Sequence, residues 1–297
     1  MNYGVVYPQT ELGQDPTAIR DYAQAAEELG FSHILAYDHV LGANADRPGG
    51  WQGPYTHQHA FLEPFVLFSF LAGHTRKIGF ATGILILPQR QTVLVAKQAA
   101  CLDVLCGSRL RLGVGLGWNE VEYIALNQEF HNRGRRIEEQ VEVMRLLWEN
   151  PLVNFEGKWH HIKDSGLNPM PLRRAIPVWF GGRADPVLER AAQLGNGWMS
   201  NYRSPADAMP ALEKIDQYLE RAGRARIKPG QSGETGFGVE TRIPYGEGNP
   251  DEWRTLVYGW QSIGVSHISF NTMGAGLNAA NDHIRALQRI AQAVGVE

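Results

Sequence analysis

The sequence predicts an α/β protein built as a single (β/α)₈ TIM barrel, and three observations lead to this fold. Short apolar runs alternate with segments of helical periodicity, which is the pattern of repeated βα units. Eight such runs can be counted along the 297 residues. Their lack of clean polar–apolar alternation is typical of parallel strands that are buried on both faces. Eight parallel strands with helices between them favour a closed barrel.

The predicted strands are spread over the whole chain. A doubly wound open sheet is the alternative fold, but it would prefer a glycine-rich nucleotide turn after the first strand. The segment that follows the first strand, "YPQTELGQD", has no such motif. The predicted strands are residues 4–7, 34–37, 78–84, 111–114, 178–180, 197–200, 237–243 and 266–270.

Four helix starts share one pattern, a capping residue followed by proline. The cap side chain accepts a hydrogen bond from a free backbone N–H, and proline loses nothing at a position whose own N–H would have no partner. The four pairs are Asp15-Pro16, Asp185-Pro186, Ser204-Pro205 and Asn249-Pro250.

Two segments do not fit the repeat. Residues 42–60 are rich in glycine, proline and aromatic side chains, and residues 150–177 contain two short β-like runs around a glycine. Long excursions from a compact domain are usually lids or insertions. We therefore predict one domain over residues 1–297, with 42–60 and 150–177 as insertions at the C-terminal rim of the barrel.

The ends of the predicted strands carry the candidate site, because active sites of such barrels gather at that rim. The second strand ends in "LAYDHV", where Asp38 and His39 form an acid–imidazole pair that hydrophobic burial does not explain. In the third strand Gly83 marks a bulge or a close backbone approach. The fourth ends in "GVGLGWNE", whose alternating glycines leave room for a flat ligand or for close strand packing.

The fifth strand ends in "FGGRADP", directly before a predicted helix. Backbone N–H groups and the Arg183 guanidinium at a helix N-terminus would suit a phosphate, and a plain turn is the alternative. Together these strand ends suggest a phosphorylated planar cofactor rather than a metal. His57 and His59 are interpreted as exposed loop histidines, since no carboxylate–histidine helix accompanies them.

Composition excludes several classes of function. A formal net charge of −3 gives no electrostatic case for binding nucleic acid or an anionic membrane, and no apolar run is long enough to span a bilayer. The N-terminus lacks the features of a signal peptide. Cys101 and Cys106 are five positions apart on a predicted helix, so neither a disulfide nor a metal site is expected. A cytoplasmic location is the expectation.

As a set, these motifs resemble the bacterial luciferase-like superfamily, and most closely its branch of probable oxidoreductases dependent on the deazaflavin coenzyme F420. The resemblance covers nearly the whole chain, with residues 42–60 the least typical part. It implies a barrel with a flavin or deazaflavin across the rim, and a homodimer. The matching stretches are "LAYDHV", "ATGILILPQRQ", "LRLGVGLGWNEVEY", "RRIEEQVEVMRLLW", "PVWFGGRADPVLERAAQLGNGWM" and "HISF".

The resemblance also implies roles for individual residues. His39 would be the catalytic proton donor or acceptor that faces the reactive ring carbon. Gly83 and Ile84 fall where several relatives have a non-prolyl cis peptide behind the ring. The residues implied to contact the cofactor are Asp38, Gly83, Ile84, Leu116, Gly117, Gly181, Gly182 and Arg183.

The leading hypothesis is therefore hydride transfer between F420 and a small organic substrate. An FMN-dependent monooxygenase that works with a separate reductase is the alternative, and a non-catalytic cofactor-binding barrel is a third possibility. Trp118 stands where sugar-phosphate dehydrogenases of the superfamily carry a catalytic glutamate, which argues against sugar-phosphate oxidation. Candidate substrate determinants are the loop 42–60 and, after strands six to eight, Asn201, Glu240, Arg242 and Asn271.

Overall fold

The computed structural model describes residues 1–227 and 236–296, and within them eight parallel strands close into the predicted barrel. The third strand pairs with both the second and the fourth barrel strand, so the sheet has no free edge and the open-sheet alternative is wrong. The strands are β1 (Asn2–Val6), β2 (His33–Ala36), β3 (Gly79–Thr82), β4 (Leu85–Ile86), β5 (Leu110–Gly115), β6 (Val153–Glu156), β7 (His161–Ser165), β8 (Val178–Gly181), β9 (Gly197–Met199), β10 (Gly238–Pro244) and β11 (His267–Asn271).

The barrel order is β1, β2, β3, β5, β8, β9, β10 and β11, with β4 a short continuation of β3 along β5. Helices lie outside the strands, and a 3₁₀ helix (Leu87–Gln89) follows β4. The helices of the described ranges are α1 (Pro16–Glu28), α2 (Pro64–His74), α3 (Thr92–Cys106), α4 (Glu120–Ala125), α5 (Arg133–Glu149), α6 (Asp185–Leu194), α7 (Pro205–Arg221), α8 (Pro250–Ser262) and α9 (Ala280–Val294). No helix in this part of the chain is both long and apolar enough to cross a membrane.

Three of the four predicted helix caps are confirmed. Asp15, Ser204 and Asn249 each accept a hydrogen bond from a backbone N–H in the first turn of their helix. The prediction for Asp185 is wrong. Ala184 occupies the cap position of α6 without a side-chain hydrogen bond, and the Asp185 carboxylate bonds Lys214 and Tyr218 of α7 instead.

The interior of the barrel carries polar groups near the N-terminal ends of its strands. Glu240 is buried and accepts hydrogen bonds from Arg111 at 2.6 Å and from Ser269 at 2.6 Å, with a ring nitrogen of His33 at 2.8 Å. Burial by itself would raise the pKa of Glu240, but Arg111 and His33 hold it well below the usual value. The prediction that Glu240 helps to select the substrate is therefore wrong, because its carboxylate is fully used inside the barrel.

The two insertions occupy different places. Residues 42–60 follow β2 and lie at the C-terminal rim. Residues 150–177 contain the β6–β7 hairpin. Backbone N–H groups of its turn donate to Glu139 of α5, and its His160 contacts Thr92 at the start of α3. This hairpin lies along the outside of α3 and α5, and none of its residues lines the cavity at the mouth that is described below.

The buried His283 of α9 generates a prediction about acid stability. Its Nδ1 lies 2.8 Å from the Thr272 hydroxyl, and its Nε2 lies 3.5 Å from the carboxylate of Glu11. Burial lowers the pKa of His283 to about 4, against the weaker opposing effect of Asp282. The unfolded chain binds this proton at about pH 6.5, so the free energy of unfolding should fall by up to ~3 kcal/mol as the pH drops from 6.5 to 4.

Urea unfolding of a His283→Gln variant across this pH range checks the prediction. The free energy of unfolding should depend more steeply on pH in the wild type than in the variant. The control variant His131→Gln, at an exposed position, should show the same pH dependence as the wild type. Parallel curves for wild type and His283→Gln would contradict the assignment.

Candidate active site

His39 stands at the rim, three residues beyond the end of β2, and a buried glutamate orients it. The Nδ1 of His39 donates to Glu122 Oε1 across 3.1 Å. The Glu122 side chain is fully buried, whereas that of His39 is 12% exposed. Because Nδ1 is engaged, Nε2 is the ring nitrogen that remains for chemistry, and no hydrogen bond to it occurs within the described residues. The pair has the arrangement of an imidazole base oriented by a carboxylate.

Glu122 also holds the loop that follows β2. Its Oε1 accepts from the backbone N–H groups of Val40 and Leu41, and its Oε2 accepts from the side chain of Gln89. Burial would raise the pKa of Glu122, but the hydrogen bonds from His39, Gln89 and Leu41 bring it below the usual value. The carboxylate is therefore ionised at neutral pH and can stabilise a protonated imidazole.

Sequence reasoning missed Glu122. A signal was present, since Asn119 follows β5 and caps α4, which places the acids of the first turn of α4 at the rim. Nothing in a linear pattern pairs residues 39 and 122, however, because they follow different strands.

Asp38 lies beneath the rim rather than in the open mouth. Its side chain is buried, with Oδ1 accepting from Arg90 at 2.7 Å and Oδ2 from the backbone N–H of Ile86 at 2.9 Å. Arg90 reaches on to Glu63, the capping residue of α2. Asp38 thus fixes the chain behind the mouth, and its contact with a cofactor remains a prediction.

The peptide bond between Gly83 and Ile84 is cis, as the resemblance implied. The bond lies between β3 and β4, and the Ile84 side chain extends over the neighbouring strands β5 and β8. A Cβ atom at Gly115 would lie 2.8 Å from Ile84, and one at Gly181 would lie 2.6 Å from it. Ile84 therefore occupies the space beside these two glycines, and at Gly113 the Thr82 carbonyl oxygen and the Met199 side chain fill the equivalent space. Of the two interpretations of Gly113, Gly115 and Gly117, room for a flat ligand or close strand packing, the structure favours close packing.

A cavity of about 790 Å³ opens at the mouth, lined by the ends of several strands. Gly83 and Arg183 both contribute to it, so the structure brings together two of the predicted cofactor-binding positions. Of the candidate substrate determinants, Asn201, Arg242 and Asn271 line it as well. Gly181 lies beside it against Ile84, and Gly182 has a φ of +138°, with its carbonyl accepting from the Trp198 indole at 2.8 Å.

The mouth carries more positive than negative side chains. Arg183, Arg203 and Arg242 line the cavity together with one acid, Glu252. Arg183 and Arg242 bond only backbone or amide oxygens of residues 200–201, and Arg183 also stacks 4.8 Å over the Tyr202 ring. None of the three forms an ion pair with another described residue. Unpaired guanidinium groups around a cavity are suited to phosphate or carboxylate ligands.

The strand β5 continues into the wall on the other side of His39. The Leu116 side chain packs on the helix side of the sheet, and its carbonyl accepts from Tyr123. Gly117 has a φ of +65° and contacts Ile86. If Leu116 and Gly117 contact the cofactor as predicted, they would therefore do so through main-chain atoms. Trp118 follows, and its indole faces the His39 ring at a centroid distance of 6.0 Å.

The arrangement can donate or accept a proton at the rim, and the described residues offer no metal centre. No group of three or more histidine, cysteine, aspartate or glutamate side chains in the described ranges could hold a metal ion. A histidine paired with an ionised carboxylate can donate or accept a proton near neutral pH. The basic mouth next to it can bind an anionic ligand.

Substitution of Glu122 should destabilise the protein in a way that depends on pH. Glu122→Ala leaves buried donors from His39, Val40 and Gln89 unpaired and should lower the free energy of unfolding by about 2–4 kcal/mol at pH 7. Glu122→Gln keeps an acceptor oxygen and should lower it less. Because the folded-state pKa of Glu122 is lowered, its ionised form contributes fully above about pH 4.3 and loses that contribution as the pH falls further.

Urea unfolding of both variants between pH 7 and pH 3 measures this effect. The difference in free energy of unfolding between wild type and Glu122→Gln should become smaller as the pH falls. A difference that stays constant down to pH 3 would show that the charge of Glu122 is not what stabilises the loop.

Comparison with known proteins agrees with this geometry. The chain matches the family described as luciferase-like monooxygenase over residues 1–236. An uncharacterised protein of Mycobacterium tuberculosis (strain ATCC 25618 / H37Rv) is 33% identical over 224 residues, which cover 73% of this chain and 77% of that protein. An F420-dependent glucose-6-phosphate dehydrogenase of Gordonia bronchialis is 28% identical over 219 residues, which cover 70% of this chain and 61% of that enzyme.

A solved structure extends the similarity to the whole fold. The monooxygenase RslO1 from Streptomyces bottropensis superposes with a TM-score of 0.80 at 19% identity, over 99% of this chain and 98% of that one. At this identity the likeness concerns the fold alone. The match of the family over most of the sequence carries the assignment: the chain belongs to the luciferase-like monooxygenase family, whose members are oxidoreductases or monooxygenases.

Proposed function

We propose that this protein is an oxidoreductase that transfers hydride between the deazaflavin coenzyme F420 and a small organic substrate. One observation carries the proposal: His39, oriented by the buried Glu122, stands at the same rim as a basic mouth with unpaired arginines. The relative from Gordonia bronchialis, named as an F420-dependent dehydrogenase, supports the choice of cofactor.

The mouth fits a flat, anionic cofactor in both size and charge. Its volume of about 790 Å³ lies in the range of cofactor pockets. Ile84 offers an apolar surface on which a ring system can rest. Arg183, Arg203 and Arg242 would pair with the phosphodiester and the glutamate carboxylates of F420. Gly181 and Gly182 would let the phosphate approach the backbone at the start of α6.

The residues around His39 would serve the chemistry directly. When bound in its reduced form, F420 supplies a hydride at a carbon of its central ring. Nε2 of His39 would give or take the accompanying proton, and the Glu122 carboxylate would stabilise the imidazolium. The rings of Tyr55 and Phe61, both 4.8 Å from that of His39, would keep water away from the reacting atoms.

We favour F420 over FMN as the cofactor. With FMN, the protein would be the oxygenase component of a two-component monooxygenase that works with a separate reductase. Both cofactors carry a phosphate, so the presence of arginines alone does not separate them. The number of unpaired arginines at the mouth favours F420, because its tail carries more negative charge than FMN. A barrel that binds the cofactor without catalysis is the third candidate, and the oriented His39 argues against it.

Cofactor titrations followed by fluorescence test the proposal. F420 should bind more tightly than FMN, and Arg242→Gln should weaken F420 binding about tenfold, the loss expected for one charged contact. His39→Ala should leave F420 affinity nearly unchanged but lower the rate of F420 turnover about 10²–10⁴-fold. The exposed His131→Ala serves as the control and should alter neither quantity.

Three results would contradict the proposal. Tighter binding of FMN, with oxygen uptake in the presence of a flavin reductase, would favour the monooxygenase. Full turnover by His39→Ala would exclude the proton-transfer role. Tight F420 binding with no redox reaction across a broad substrate panel would favour the non-catalytic barrel.

We also propose that the protein is a homodimer that uses the outer faces of α2 and α3. These neighbouring helices are apolar on their solvent side as well as on their core side. Val66 of α2 is 66% exposed, and Leu94 and Leu105 of α3 are 51% and 66% exposed. A helix that is apolar all round is normally buried, and a second copy of the same face would bury these side chains.

Light scattering after size-exclusion chromatography tests the dimer. The wild-type chain should elute as a dimer, and the double variant Leu94→Glu/Leu105→Glu should elute as a monomer, since like charges would be buried in the interface. Tyr258→Glu on α8, where the native side chain is 74% exposed, is the matched control and should remain dimeric. A monomeric wild type would overturn this proposal without affecting the cofactor proposal.

A further inference from the structure

The main-chain ladder between β1 and β2 stops one step short of the rim. The N–H of Tyr7 donates to the Leu35 carbonyl at 2.8 Å. In a parallel ladder the next two bonds would join the Tyr7 carbonyl to the N–H of Tyr37, and the N–H of Gln9 to the Tyr37 carbonyl. The chain turns at Pro8, however, and the N–H of Gln9 donates to the Tyr7 carbonyl at 2.9 Å. The peptide groups of Tyr37 therefore have no main-chain partner on the β1 side.

The side chain of Gln9 supplies the missing partners. Its Oε1 accepts from the N–H of Tyr37 at 2.6 Å, and its Nε2 donates to the Tyr37 carbonyl at 3.0 Å. A carboxamide carries the same kinds of donor and acceptor as a peptide group, so it can continue the ladder where the backbone has turned away. Gln9 is 3% exposed, so water does not compete for these two bonds.

The bonds of Gln9 fix the chain two residues before His39. On the other side of His39, Glu122 accepts from the two main-chain N–H groups that follow it. His39 thus lies between two anchored points, one bound from the loop after β1 and the other bound from α4. The His39 ring is also bonded to Glu122, through Nδ1 at 3.1 Å. A shift of the backbone at Tyr37 would therefore be transmitted to this bond.

We propose that Gln9 is a positioning residue: its carboxamide fixes the backbone at Tyr37 and so keeps the His39 ring aligned with Glu122. The use of His39 for proton transfer rests on the proposed function, whereas the alignment of its ring does not depend on a cofactor. Loss of either bond from Gln9 would leave a buried main-chain group of Tyr37 unpaired, and the chain would rearrange to find it another partner.

Two substitutions of Gln9 separate its hydrogen bonds from its packing. Gln9→Met keeps a long side chain of similar size but can form neither bond, so its effect should not depend on pH. Gln9→Glu keeps the acceptor. Its ionised form has no donor for the Tyr37 carbonyl, whereas its protonated form has one. The effect of Gln9→Glu should therefore be largest at high pH and should become smaller as the pH falls.

Gln24→Met is the matched control. Gln24 of α1 also donates from its side-chain amide to a main-chain carbonyl, that of His74, at 3.0 Å. His74 is the last residue of α2, whose other end lies at the rim. The control therefore removes a comparable bond at a distance from His39.

The tautomer of His39 is a readout that a change in stability alone would not alter. It is measured by ¹⁵N NMR of the histidine rings at pH 8, where histidine is largely neutral, and the His39 signals are assigned by their loss in His39→Gln. In the wild type the Nδ1–H tautomer should predominate, because Nδ1 donates to Glu122. Gln9→Met should show a mixture of both tautomers, and Gln9→Glu should lie between it and the wild type. Gln24→Met should match the wild type.

Turnover of F420 measures the consequence for the proposed reaction. Gln9→Met should lower kcat about tenfold at every pH, since a small displacement of a reacting group is costly. Its dissociation constant for F420 should be nearly unchanged, because the arginines of the mouth follow or lie on other strands. The kcat of Gln9→Glu, relative to the wild type, should rise as the pH falls from 9 to 6 and the buried glutamate becomes protonated.

The results separate the positioning role from the proposed function. A folded Gln9→Met variant with the same His39 tautomer as the wild type would overturn the positioning role, as would a relative kcat of Gln9→Glu that is constant with pH. If Gln9→Met does not fold, the tautomer of His39 in Gln9→Glu decides in the same way. If the wild type does not turn over F420 but the tautomer changes as expected, the proposed function fails and the positioning role stands. If the wild type turns over F420 and the tautomer does not change, only the positioning role fails.

Discussion

The rim of this barrel depends on one buried carboxylate. Asp38 binds the Arg90 guanidinium and the backbone N–H of Ile86 with no exposure to solvent, and Arg90 continues to Glu63 at the start of α2. An unpaired charge at this depth would be strongly destabilising. The end of β2, the chain after the cis peptide and the start of α2 must therefore keep their relative positions, and the adjacent His39 is held with them.

A second fully buried carboxylate, that of Glu122, holds the loop after β2 in a similar way. Glu122 collects backbone N–H groups of the loop after β2 and the Nδ1 of His39. It thereby ties β5 and α4 to β2 and leaves the opposite ring nitrogen for chemistry. The two carboxylates have different roles: Asp38 fixes the backbone at Ile86, and Glu122 orients the side chain of His39. Outside them, three arginines line the mouth of the barrel at the same rim.

Much of this architecture is visible in the sequence, because it rests on local rules. A capping residue before proline predicts the cap of a helix correctly where that side chain has no stronger partner. Asp185 does not cap its helix, because its carboxylate binds Lys214 and Tyr218 of the next helix. The glycines in and just after β5 were recognised as special, and close strand packing was one of the two explanations that the sequence left open. Their space is filled by Ile84, Met199 and the Thr82 carbonyl oxygen, and these groups come from other strands.

The sequence by itself determined the number and order of the βα units, the rim position of His39 and Arg183, and the membership of a family of redox enzymes. These follow from periodicity, short motifs and the rule that parallel strands end at one face. Only the tertiary structure decided which charges meet: Asp38 with Arg90, His39 with Glu122, and Glu240 with Arg111 inside the barrel. Such pairs join residues on different strands, and their distances are set by closure of the barrel, which no local pattern encodes.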